Sequence, residues 1–250
     1  MAQCNATLFF CSPVAAVAAV LLLGAAPGTR AQAADNWSAS VAVASDYVAH
    51  GLTRSQGDSV LQARVGLTRE SGWSASVGAS TLNLSAGPSV TREVNFYIGK
   101  SWDLSRDWDL SASAAYYAFA RNSPRFPYDY SEAKLSLSYR GLLRASVSVS
   151  PDYSIFARGV PAREFTTLTS EIVANYPLTR ALQLTAGVGY YDLSDGIGNG
   201  YFFWSAGATA QYQRVSLALT YVGTDSRSKR LFSQSFASDH WVVSAALRLH

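Results

Sequence analysis

The sequence predicts an all-β protein, an antiparallel transmembrane β-barrel of about 12 strands. Three observations carry this prediction. From Trp37 onward the chain alternates apolar and polar residues in segments of roughly ten. A period of two places successive side chains on opposite faces of a strand. The connections between segments are alternately short and long, as periplasmic turns and extracellular loops are in such barrels. Tyr and Trp collect where strands meet connections. With 48% hydrophobic and 15% charged residues, the chain suits a membrane. Nothing after Ala33 approaches the roughly 20 apolar residues of a spanning helix, so strands must do the crossing.

The first element is a targeting segment. The apolar run Val14 to Leu23 is followed by Gly24, Pro27 and Gly28, and Ala31-Gln32-Ala33 forms an A-x-A site. Residues 1–33 thus read as a signal peptide, cleaved after Ala33 with Ala31 and Ala33 as its recognition residues, and residues 34–250 as the barrel domain. No Lys or Arg precedes the apolar core, where a positive region is usual, and a single membrane anchor is the rival reading. Both cysteines, Cys4 and Cys11, fall in the removed part, so disulfides, thiol catalysis and cysteine-bound metals are not expected. Removing Arg30 leaves 19 basic against 17 acidic residues. That balance argues against nucleic acid as a partner, which needs a concentrated basic face.

Twelve strands are expected to begin at Trp37, Val60, Trp73, Ser89, Trp108, Tyr130, Leu143, Thr166, Ala181, Tyr201, Val215 and Asp239. The links at 70–72, 102–108, 140–142, 176–180 and 213–214 are short. Those at 47–59, 121–129, 153–165 and 225–238 are long and polar, and an even strand number leaves both termini in the periplasm.

Each strand divides into two faces. Val41, Val65, Val94, Phe96, Leu135, Leu184, Val188, Leu217 and Leu219 lie on the apolar one. In a membrane barrel that face meets lipid; in a soluble barrel it would fill a core. Arg64, Glu93, Asn95, Glu132, Lys134, Glu171 and Arg248 lie on the other, as the expected pore-lining residues. Arg64 and Lys134 are expected to bias an open constriction toward anions; charges pairing across the lumen to plug it are the rival. Trp37, Trp73, Trp108, Tyr139, Tyr176 and Tyr212 mark a belt at the short turns. Tyr47, Tyr117, Tyr130, Tyr153, Tyr190, Tyr201 and Tyr221 are expected to mark a second belt at the long loops.

The segment Ser45-Asp46-Tyr47-Val48-Ala49-His50-Gly51-Leu52-Thr53-Arg54-Ser55 resembles the S-D-Y-V-x-R-G-x-S-x-S opening of the TorF-like porin family. Ser71-Gly72-Trp73 through Gly78-Ala79-Ser80 and Glu93-Val94-Asn95-Phe96-Tyr97-Ile98-Gly99 are similar to its next hairpin and strand. The resemblance implies a proteobacterial outer-membrane barrel acting as a porin, with Ser45, Asp46, Tyr47 and Gly51 as motif residues. His50 stands where that family usually has Arg, and Asn95 where it usually has Asp, so charge selectivity does not carry over. The terminal Leu249-His250 also departs from the aromatic ending common in such barrels.

Catalysis is not expected. A hydrolase needs a nucleophile beside a His and an orienting group. The three histidines, His50, His240 and His250, lie in loop or terminal positions with no accompanying motif; Asp239-His240 is the one adjacent pair. No metal-ligand spacing or phosphate-cradling loop appears, and no cofactor is expected. Arg227, Lys229 and Arg230, with Arg121 and Arg125, are loop candidates for contacting lipopolysaccharide or anionic solutes, against the alternative of a solvated loop. The expected function is passive diffusion of small hydrophilic solutes through an outer-membrane porin. The alternatives are a closed structural or adhesion barrel working through its loops and, further off, an outer-membrane hydrolase. The expected partners are outer-membrane lipid, lipopolysaccharide and the assembly machinery.

Overall fold

A computed structural model describes residues 36–84, 90–120, 128–154, 164–232 and 234–249. The expected signal peptide with Ala31 and Ala33, the loop residues Arg121 and Arg125, and the terminal His250 lie outside the described residues.

The alternating segments form twelve long strands of nine to fourteen residues. In chain order these are β1 (Asn36–Ala44), β4 (Val60–Thr68), β5 (Trp73–Leu84), β6 (Val90–Asp103), β7 (Trp108–Phe119) and β8 (Tyr130–Tyr139). They continue as β9 (Leu143–Ser154), β10 (Glu164–Pro177), β11 (Leu182–Asp192), β12 (Gly200–Tyr212), β13 (Val215–Thr224) and β14 (His240–Arg248). Two short strands, β2 (Val48–Ala49) and β3 (Leu52–Thr53), form a separate hairpin between β1 and β4. Each long strand pairs antiparallel with its neighbours, and β14 pairs with β1 to close the barrel. Closure leaves no strand edge with unpaired backbone groups, the condition for a sheet to sit in hydrocarbon.

The faces fall as the alternation predicts. Val43, Val65, Phe96, Leu135, Val188 and Leu217 are exposed on the outside, while Glu93, Asn95, Glu171 and Thr185 are buried inside. A barrel that exposes its Val, Leu and Ile and buries its carboxylates is inverted relative to a soluble core, and only lipid makes that arrangement favourable.

The short turns are built by local chemistry. Arg140 and Gly141 both have positive φ, and the Leu142 amide donates to the Tyr139 carbonyl. This is a type I′ turn, whose twist matches the strands it joins. Arg140 also binds Asp107 of the next turn, Nε to Oδ1 at 2.8 Å. At the opposite end the connections are longer and carry the short helices α1 (Ser194–Ile197), α2 (Ser226–Leu231) and α3 (Gln234–Ala237). Asp225 caps α2 by accepting from the Arg227 and Ser228 amides.

Candidate functional site

The β2–β3 hairpin determines the interior. The sequence reading leaves residues 47–59 as an extracellular loop; in the structure residues 46–51 and 53–55 are buried. His50 and Gly51 both have positive φ between the paired strands, giving a two-residue type I′ turn. His is among the few non-glycine residues that tolerate this region. Gly51 has a second reason to be glycine. A Cβ there would stand 2.6 Å from Thr224 Cγ2 and 2.7 Å from Phe203 Cβ, so the turn lies against the barrel wall.

Each motif residue has a physical task in seating this hairpin. Ser45 extends the barrel pairing: its amide donates to the Val243 carbonyl and its Oγ accepts from the Val243 amide. Asp46 gathers the hairpin's foot, its Oδ1 accepting from the Tyr47 amide and from the Thr53 and Ser55 hydroxyls. Its Oδ2 lies 2.7 Å from His240 Nε2 at the start of β14. Burial alone would raise the Asp46 pKa, but the bonds from His240, Ser55 and Thr53 hold it below the usual carboxylate range. The Tyr47 hydroxyl reaches Glu93 at 3.1 Å.

Glu93 is the centre of a buried polar network. Arg54 Nη1 lies 3.3 Å from its Oε2, and Arg54 Nη2 donates to the Tyr130 hydroxyl at 2.9 Å. Asn95 Nδ2 donates to Glu93 Oε1, while Asn95 Oδ1 accepts from Arg64 Nη2, both at 3.1 Å. Arg64 Nη1 donates to Ser76 at 2.9 Å. Asn95, standing where the related motif has Asp, therefore bridges an acid and a base without adding charge. Gly78 gives this bridge its room, since a Cβ there would come within 2.7 Å of Asn95 Oδ1. Glu132, Lys134, Glu171 and Arg248 also occupy inward-facing positions of their strands. Lys134 is near enough to Glu132 and Glu171 for its charge to act on both.

The aromatic residues require a correction. The lower belt is where alternation places it: Trp37, Trp73, Trp108, Tyr176 and Tyr212 are exposed on the outside beside the short turns. At the other end Tyr47, Tyr117, Tyr130 and Tyr201 are buried inside, and Tyr153 faces them. Tyr117, Tyr130 and Tyr201 stand on strand positions of the inward parity, Tyr153 follows a register shift between β9 and β10, and Tyr47 belongs to the hairpin segment, so their rings point inward. The outward rings at this level are Tyr116, Phe202, Trp204 and Trp241, with Tyr190 and Tyr221.

The inward rings form a connected arc. Tyr117 stacks on Tyr130 with centroids 4.4 Å apart, Tyr130 meets Tyr153 edge-on at 4.9 Å, and Tyr153 meets Tyr191 at 6.0 Å. His50 lies over Tyr191 at 4.2 Å. Arg54 is 5.5 Å from the Tyr130 ring centroid and 5.6 Å from that of Tyr47, in cation–π range.

The histidines and the loop bases also have different partners from those expected. His50 is buried against the barrel wall rather than in a solvated loop. Burial, helped by the charges of Arg54 and Lys134, pushes its pKa down to about 3, so it is neutral. His240 pairs with Asp46 rather than with its neighbour Asp239, which binds Lys229 at 2.8 Å. Arg230 donates to Ser226 and Arg227 to the Gly200 carbonyl. Among the described residues no group of three His, Cys, Asp or Glu converges as a metal site.

Solved structures share this architecture. A NanC porin structure superposes with a TM-score of 0.57 at 10% identity, covering 83% of this chain and 97% of that one. A KdgM porin gives 0.52 at 7% identity, covering 86% and 100%. A KdgM porin in complex with disordered oligogalacturonate gives 0.54, also at 7% identity, over 86% of this chain and 100% of that one. At these identities the likeness is one of fold. No curated protein matches the sequence. The TorF-like likeness stays at the level of the motifs that carry it. A family model described as a bacterial protein of unknown function (Gcw_chp) matches residues 29–247, and the chain belongs to that family.

Proposed function

We propose that the protein is an outer-membrane channel for passive diffusion of small hydrophilic solutes, narrowed by the hairpin of residues 46–55. One observation carries the reading. A closed barrel with an apolar outside encloses charged and hydroxyl-bearing side chains, among them Arg64, Glu132, Lys134 and Glu171. Such a lining suits water and hydrated solutes, with selectivity set by width and charge. The porin neighbours support the same class. Planar-bilayer recording and liposome swelling on the refolded protein test it, and steady unitary currents are expected. The chain is not an enzyme in this reading. Secretion with cleavage after Ala33 belongs to it, and intact mass of the outer-membrane form should then begin at Ala34.

The second reading is a plugged barrel that works as a scaffold. It is favoured by the seating of the hairpin, which is bonded at Asp46 to His240 and at Arg54 to Glu93. Absence of current in the wild type, with current gained when Arg54 and Glu93 are both replaced by Ala, would select this reading.

A further inference from the structure

Between the hairpin and the loop ends of the strands lies a half-open cavity of about 100 Å³. Tyr130, Tyr153 and Tyr191 wall it with their rings, and Phe119 and Phe232 also line it. Its polar groups are the Arg54 guanidinium, the neutral His50 imidazole and the hydroxyls of Ser154, Thr53 and the lining tyrosines. Ser154 is buried to 8% exposure, and its Oγ has no hydrogen-bond partner. A buried hydroxyl left without a partner is costly, so one facing a cavity marks a place where a ligand group is welcome.

We propose that this cavity binds an uncharged sugar ring on its way into the barrel. The proposal deepens the channel reading and rests on it for its role. Aromatic faces cover the C–H face of a pyranose, and a few placed polar groups fix its hydroxyls, the usual division of labour in a small-molecule site. The ligand is uncharged because the lining is: Arg54 is matched by Glu93 at 3.3 Å, and the His50 ring is neutral. The cavity is smaller than the about 150 Å³ that encloses a benzene ring, so the sugar is held by one face and not engulfed. Holding of that kind is weak and reversible, as transit requires.

The test uses the full-length mature chain refolded in detergent, with saturation-transfer NMR and calorimetry. The probes are methyl α-D-glucopyranoside, mannitol as an open-chain polyol, sodium galacturonate as an acidic ring and sodium benzoate as an aromatic anion. The glucoside should bind in the millimolar range, at least tenfold tighter than mannitol, with transfer strongest to its ring C–H protons. Tyr191→Ala and Tyr153→Ala should each weaken it at least fivefold, Tyr191→Phe less than twofold, and Ser154→Ala two- to fivefold. Heat-dependent gel migration shows whether each variant is folded, and Tyr191→Phe keeps the test open where an alanine variant is not. Tighter binding of galacturonate or benzoate than of the glucoside overturns the proposal. So does glucoside binding that ignores Tyr191→Ala. Conductance in the same preparation separates the two claims. Current without glucoside binding overturns the site alone, and binding without current overturns the channel alone.

Discussion

Asp46 Oδ2 and His240 Nε2 are 2.7 Å apart, joining the foot of the inserted hairpin to the first residue of the last strand. The same carboxylate holds Thr53 and Ser55 from the returning arm of the hairpin. One side chain thus fixes where the hairpin enters, where it leaves and which strand it leans on.

The hairpin should loosen in acid. The Asp46 pKa is lower folded than unfolded, so its contribution is present above the ordinary carboxylate value of about 4 and is lost as pH falls through the folded value. Asp46→Ala should release the hairpin at neutral pH, at a cost of about 1–3 kcal/mol. Tryptic cleavage after Arg54 at pH 7 reads the variant, slow in the wild type and fast in Asp46→Ala, and hydrogen exchange of the residue 46–55 amides reads the loosening in acid. Equal rates would refute the latch.

Arg54 and Glu93 form a buried ion pair, with side chains 8% and 0% exposed. Removing one partner strands the other, which costs about 3–5 kcal/mol. Glu93→Ala should therefore lower the unfolding midpoint in guanidinium more than the double variant that also carries Arg54→Ala. A double variant that loses the sum of the single losses would show that the pair is not coupled.

The inside and outside faces are testable at adjacent residues. Val243 is exposed on the barrel's outside, and Ser244 points inward. Val243→Arg and Leu135→Arg should impair assembly, by about 2–4 kcal/mol if near the midplane. Ser244→Arg should be much milder. Gel migration of unheated samples measures the folded fraction.

Arg64 spends its hydrogen bonds on Ser76 and the uncharged Asn95, so its charge stays unmatched at that contact. Arg64→Glu with Lys134→Glu should shift the reversal potential in a salt gradient toward cations. Lys134→Glu alone should shift it part of the way. An unchanged reversal potential would remove these two residues from the conducting path.

Most of the barrel was legible in the sequence because alternation is enforced twice, by lipid outside and by polar neighbours inside. Val60, Trp73, Trp108, Tyr130, Leu143 and Val215 each begin a strand where the pattern places them. The site was less legible. Tyr117 and Tyr130 sit at the right height for an interfacial belt, and only their parity sends them inward. The hairpin was hidden because residues 47–59 carry the polar composition of an outer loop. Its local signal was His50-Gly51 between Val48-Ala49 and Leu52-Thr53, a short turn signature. His240 could not be matched to Asp46 from sequence, since nearly the whole chain separates them.

The foot of the hairpin lies across the junction of β1 with β14. Ser45 and Val243, which exchange two hydrogen bonds, are 198 residues apart in the chain. These bonds and the one to His240 form only after the last strand has docked on the first. Seating of the hairpin's foot is thereby coupled to closure of the barrel. A contact between the two ends of the chain thus ties the narrowing of the lumen to the seam that closes its wall.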